Sequence, residues 1–158
     1  PWLHGNRCPF EDPNARGMFF NISLETGKSE MIRAVLEGVC YHLRWFIETE
    51  EKKVKTSDRI RFVGGGALSS VTCQILADCT GKIIETVDTP QNVGAMGAAV
   101  LIAVGIGECP SIEAAKELIP AVKTFNPDPE KKPVYDKYFK VFKNLYASNK
   151  KNFADLNA

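Results

Sequence analysis

Histidine is almost missing from this chain: His4 and His42 are the only two in 158 residues, and neither has a partner of catalytic type nearby in sequence. Chemistry built on imidazole is therefore not expected of it. Net charge is equally scarce. The 20 Lys and Arg nearly balance the 19 Asp and Glu, leaving +1, so no global field draws the chain to nucleic acid or to a membrane surface. The five cysteines, Cys8, Cys40, Cys73, Cys79 and Cys109, are odd in number and scattered, with no CxxC pair and no Cys/His cluster. That spacing argues against a zinc site and for reduced thiols in a cytoplasmic protein. No stretch of these residues reads as a signal peptide. The longest apolar run, Val93 to Ile106, is glycine-rich and falls short of the roughly 20 residues that a bilayer span needs. What is left is ordinary: 44% hydrophobic and 25% charged residues, in a length that holds one domain with a real core.

The first 25 residues are rich in Pro, Gly and Asn, and only Gly17 to Ser23 reads as a strand. A long helix is expected from a Thr26 cap to about Glu51. Met31, Val35, Val39, Leu43, Phe46 and Ile47 recur at helical spacing and predict its apolar stripe. Arg59 to Val63 is a short strand that a glycine run ends. Ser69 or Ser70 is placed to cap a second helix, which Gly81 stops. Lys82 to Val87 is a further strand. Pro90 breaks the chain, and Asn92 can cap the helix "VGAMGAAVLIAVGIG". A short helix is expected over Ser111 to Ile119, then a proline-rich connector. The last helix should run from about Val134 to Phe153, with Tyr135, Tyr138, Phe139, Phe142, Leu145 and Tyr146 on one face and lysines mostly on the other. Strands alternating with helices predict a small α/β layer with parallel pairing.

Three consecutive glycines, Gly64, Gly65 and Gly66, stand between a strand and a helix. Glycine lets a ligand approach the main chain, and the helix behind it offers free N–H groups and a positive dipole end. A tight turn that only lets the helix pack is the plain alternative. Two ligand readings compete. In a dinucleotide site, Gly64 and Gly66 begin a GxG pattern and Glu85 stands where a ribose-binding acid belongs. In a mononucleotide site, the glycines receive the adenosine end. The "GAMGAA" stretch bears on the choice. It sets Gly94 and Gly97 among alanines at a helix start, with Gly94–Ala98 and Ala95–Ala99 stacked four apart. Glycine inside a helix costs up to about 1 kcal/mol against alanine, so something needs the missing volume. Close helix packing is one answer, and a second wall of a nucleotide pocket is the other.

The stretches "GGGALSSVTCQILADCTGKII" and "VGAMGAAVLIAVGIG" resemble the C-terminal half of the FGGY carbohydrate kinases, nearest to their xylulokinase-like branch. The family pattern GGGAxS, then QxxADxxG, then GAxGAA is matched by Gly64 to Ser69, by Gln74, Ala77, Asp78 and Gly81, and by Gly94 to Ala99. "GNRCPFEDPNARGMFFNIS", "IRAVLEGVCYHLR" and "FNPDPEKKPVYDKYFKVFKNLY" are similar to three further family segments in the family's order. Asn6 departs from the usual Glu, Asn21 from the usual Gly, and Thr26 from a frequent His. These departures leave the sugar open.

The resemblance implies a ribonuclease H-like α/β domain of the actin and hexokinase type, a small sheet flanked by helices. Residues 1–158 would be the C-terminal kinase domain, a fragment consistent with an opening that lacks methionine. The missing N-terminal domain would bring the phosphate loop, most sugar contacts and the general-base Asp, so no catalytic residue is expected here. ATP would be the phosphoryl donor and Mg²⁺ its companion in the full-length enzyme. Gly65, Gly66 and Ala67 would lie against adenine and ribose. Ser69 or Ser70 would bond the nucleoside or cap the helix, and Gly94 and Gly97 would stand behind them. D-xylulose leads as substrate, with gluconate, ribulose and glycerol open, and a homodimer is compatible with the family. Asp78 is expected to be structural, and Arg33 and Glu37, four apart on a helix, to pair.

Overall fold

Two short parallel strands and the helix that joins them form the centre of the fold, which the computed structural model describes for residues 1–114 and 118–158. Strand β1 is Arg59–Arg61 and strand β2 is Ile83–Val87, with Ile60 opposite Ile84. Helix α2, Ser70–Thr80, crosses between them. Its sequence "SVTCQILADCT" is apolar on almost every side, and the fold buries it accordingly: Cys73, Ile75, Leu76, Ala77 and Cys79 are all nearly inaccessible. Helix α1, Lys28–Glu51, covers one flank of α2 with Cys40 and Tyr41. Helix α4, Lys132–Asn157, adds Tyr135 and Phe139 to the same core. Helix α3, Val93–Gly105, follows β2.

Alternation divides the sheet as expected for strands. Ile60, Phe62 and Ile84 join the core with α1 and α2. Arg61, Val63 and Val87 face a cleft beside α3. A third strand, β3, Ala121–Phe125, lies antiparallel on the far side of β2, giving the order β1-β2-β3. The sheet is thus mixed, not purely parallel. The sequence reading missed β3 because four of its five residues are exposed and show no buried face.

The irregular opening segment is held by aromatic packing. Trp2 is buried against Phe10, Phe142 and Tyr146, and the Phe10 and Tyr146 rings stack at 3.7 Å. The Tyr146 hydroxyl donates to buried Asp12 at 2.9 Å. Trp2 Nε1 donates to His42 Nδ1 at 3.3 Å.

Several expectations need correction. Gly17 to Ser23 joins no ladder, Asn21 within it bends the chain at φ +62°, and Phe19, Phe20 and Ile22 are exposed. Strand-forming residues gain little without an edge to pair with. Helix α1 begins at Lys28 after Gly27, not at a Thr26 cap. The Thr26 hydroxyl instead accepts from the Ser23 N–H, and Glu30 accepts from the Gly27 N–H. The buried face of α1 is also rotated from the predicted one. Leu36, Cys40, Tyr41, Leu43 and Trp45 pack inward, whereas Val35, Val39 and Phe46 are exposed. The helix carries two apolar stripes, and α2 and α4 cover only one. Asn92 makes no side-chain cap; a 3-10 turn, Pro90–Asn92, leads into α3 instead. Tyr138 on α4 is exposed. The helix expected over Ser111 to Ile119 includes residues 115–117, which lie outside the described residues.

Phe139 sits where α1, α2 and α4 meet, with the Arg44 guanidinium and the Lys143 ammonium each 4.3 Å from its ring centre. Phe139→Ala should lower unfolding free energy by about 3–5 kcal/mol in urea titrations. A loss below about 1 kcal/mol would place the centre of the core elsewhere.

Candidate functional site

The glycine turn begins directly beyond the carboxyl end of β1. Phe62 N–H donates to the Glu85 carbonyl at 2.8 Å and so extends the β1–β2 ladder by one residue. Gly64 then takes φ +88°, a left-handed conformation that a side chain resists. A single 3-10 turn, Gly65–Leu68, follows, closed by the Ala67 N–H on the Gly64 carbonyl. Ser69 adopts extended φ/ψ and its hydroxyl accepts from the Thr72 N–H at 3.2 Å, so Ser69 is the cap of α2. Ser70 is the first helical residue, is exposed, and has no hydrogen-bond partner for its hydroxyl among the described residues. At the other end Gly81, at φ +72°, stops α2 as the sequence predicts.

The second glycine-rich element adjoins the first. The Gly64 N–H donates to the Pro90 carbonyl at 2.8 Å, which ties the glycine turn to the turn that opens α3. A methyl group placed on Gly64, Gly65, Gly94 or Gly97 would meet no heavy atom within 4 Å. The protein's own packing therefore does not use the volume these residues leave. Gly66 differs, because its methyl would meet the Phe62 ring at 3.0 Å. Ala67 differs too: it is buried, and its carbonyl accepts from the Cys73 thiol at 3.6 Å. The predicted set thus divides. Gly65, Gly94 and Gly97 present open main chain, Ser70 a free hydroxyl, and Gly66, Ala67 and Ser69 build the turn.

Beside them lies a cleft of about 420 Å³ walled by Val63, Val87, Val93, Gly97 and Val100. Of the predicted site residues only Gly97 lines it. Its walls are almost entirely apolar, which suits apolar side chains better than phosphates. Helix α3 itself buries no residue, and Leu101, Ile102 and the following Ile106 are largely exposed.

Most of the other polar side chains that the sequence singles out make contacts within the fold. Asp78 is buried and accepts from Gln74 Nε2, the Asp128 N–H and Lys131 Nζ, which fastens the approach to α4 onto α2. Arg33 pairs with Glu37 at 2.8 Å, and both bond the Tyr135 hydroxyl. Glu85 pairs with Arg59 at 2.7 Å, so the acid of the dinucleotide reading already has a partner. Burial, chiefly, lowers the basicity of His42, which accepts from Trp2, while His4 is exposed. Arg16 ties down the opening segment through the Pro13 and Ala15 carbonyls. Among the described residues no three His, Cys, Asp or Glu side chains gather in a group that could hold a metal. No helix among them is long and apolar enough to cross a membrane. The sequence reading missed Thr89, a non-glycine residue at φ +46° just before Pro90. Nothing in the local sequence signals it, because threonine is not a left-handed former.

Open main chain thus lies at two adjoining turns that follow the carboxyl ends of two parallel strands. Residues 1–106 match the family model described as the FGGY family of carbohydrate kinases, C-terminal domain. The chain belongs to that family. It is 34% identical over 157 residues, 99% of its length, to a xylulose kinase of Staphylococcus epidermidis, and covers 32% of that protein. A ligand-bound xylulose kinase from Lactobacillus acidophilus superposes with TM-score 0.89 at 27% identity, over 99% of this chain and 32% of that one. A gluconate kinase from the same organism superposes with TM-score 0.88 at 27% identity, with the same coverage. The fold is that of the actin and hexokinase-like ATPases, as expected, and the dinucleotide alternative falls away. The chain spans about a third of the length of the curated relatives it matches.

Burial also sets the thiols. It pushes Cys40 and Cys79 up to about 12, well above the ordinary value of 9.0. These groups stay protonated in the fold and ionise in the unfolded chain from about pH 9. Their contribution to stability is therefore complete below that pH and declines as pH rises toward 12. Urea midpoints measured between pH 8 and 10.5 should fall, and Cys40→Ala/Cys79→Ala should flatten the fall. An equally steep decline in that variant would assign the pH dependence to other groups.

Proposed function

We propose that residues 1–158 are the nucleotide-binding C-terminal domain of a longer, ATP-dependent sugar kinase, with D-xylulose as its substrate. The sugar hydroxyl oxygen bonds the γ-phosphorus, the bond from that phosphorus to the β-phosphate oxygen breaks, ADP leaves, and a base takes the hydroxyl proton. This chain holds the adenosine end. The observation that carries the reading is the unused space above Gly65, Gly94 and Gly97; the exposed Ser70, at the start of α2, carries the hydroxyl assigned to the nucleoside. Gly66, Ala67 and Ser69 keep that surface in shape from behind. No residue here is assigned as the catalytic base. That carboxylate, the phosphate loop and the Mg²⁺ that travels with ATP belong to the rest of the kinase.

The bare surface of α3 supports the same partition. A helix apolar on all sides is normally buried, yet α3 buries none of its residues. The remaining part of the kinase is the cover it fits. Gluconate is retained as a second substrate because the likeness to a gluconate kinase is nearly as close.

Calorimetry separates these ideas. The isolated chain should bind ADP weakly, ignore NAD and phosphorylate no pentulose. Gly65→Val should weaken ADP about tenfold by filling the contact surface, and Ser70→Ala about three- to tenfold for one lost hydrogen bond. Ser69→Ala should instead lower stability by about 1 kcal/mol through the lost cap. Pentulose phosphorylation by the isolated chain, or ADP affinity indifferent to Gly65→Val, would overturn the assignment.

A further inference from the structure

The β1–β2 ladder takes an irregular step at the site. Phe62 N–H meets the Glu85 carbonyl. An unbroken parallel ladder would next offer Gly64 the carbonyl of Val87. Gly64 meets the carbonyl of Pro90 instead, three residues further on, at 2.8 Å. The chain overshoots and folds back, and Thr89 is the residue that folds it, at φ +46° and ψ +55°. A β-branched residue is strongly disfavoured in that region. Just before it, the pairing of β2 with β3 shifts register between Thr86 and Val87. Just after it, the Asn92 N–H donates to the Thr89 carbonyl at 2.9 Å and closes the turn that leads into α3. Buried Pro90 completes the turn.

We propose that Thr89 is a positioning residue for the nucleotide. Its left-handed backbone presents the Pro90 carbonyl to the Gly64 amide and thereby sets the gap between the glycine turn and the start of α3. This rests on the nucleotide reading above. The role belongs to the backbone, because the Thr89 hydroxyl has no partner among the described residues. Substitutions should then sort by their tolerance of positive φ, not by polarity.

The test is steady-state kinetics and thermal melting in the longer kinase that carries this chain. Thr89→Gly and Thr89→Asn accept the left-handed region. They should raise Tm by a few degrees and leave KM for ATP within about twofold. Thr89→Pro cannot adopt it, since its φ stays near −65°. It should raise KM for ATP about tenfold or more, with KM for the sugar changed less than about twofold. If Thr89→Pro does not fold, Thr89→Ile carries the test, with the same split expected at about threefold from heavier strain. Unchanged KM for ATP in the variant that folds, an equal rise in both KM values, or Thr89→Asn behaving like Thr89→Pro would overturn the proposal. Gly65→Val measured alongside separates the two readings. If it leaves KM for ATP unmoved, the nucleotide site itself is wrong. If it raises KM for ATP while Thr89→Pro does not, only the positioning role is lost.

Discussion

Strands β1 and β2 lie side by side and point the same way, and this one pairing constrains everything beyond it. Whatever follows their carboxyl ends must emerge at the same edge of the sheet. The glycine turn follows β1, and the Pro90 turn follows β2, so the two emerge side by side. Sheets of this kind place ligands at such an edge. The pairing spans only three residue positions, so it needs outside support. Helix α2 supplies it, since it connects the two strands and is buried on nearly all sides.

That burial explains why so many polar contacts end on α2 and so few on α3. Arg44 of α1 donates to the Cys79 carbonyl near the end of α2 and pairs with Asp136 of α4. Asp78 holds the approach to α4 from the opposite partner. Cys40 and Cys73 direct their thiols at the Thr72 and Ala67 carbonyls, at the amino end of the same helix. Both ends of α2 are thereby fixed, and with them the direction of its first turn. A site that presents main chain instead of side chains depends on this rigidity, because no flexible group can make up for a displaced backbone.

Much of this was readable from local signals. Strand, glycine run, capping serine, apolar helix and stop glycine follow one another within Arg59 to Gly81, and each has its own chemistry. What stayed hidden depended on neighbours distant in sequence. Helix α1 shows two apolar stripes, and only the position of α2 and α4 decides which is covered. Strand β3 owes its existence to the free edge of β2. Gly17 to Ser23 has strand-forming residues but no ladder to join. At the site, Ser69 and Ser70 were interchangeable as caps, and backbone angles distinguish them. The openness above Gly65, Gly94 and Gly97 was foreseeable as a need for space, whereas the inward turn of Ala67 was not. Thr89 left no trace in the sequence, because the fold imposes its conformation against the residue's own preference.

The aromatic cluster that anchors the opening segment has an optical consequence. Trp2 and Trp45 are the only two tryptophans of the chain, and both pack against Phe10, Phe142 and Tyr146. Indole emission from this chain is therefore a private signal of one joint, where the opening segment, α1 and α4 come together. It will register detachment of that segment with both fluorophores at once.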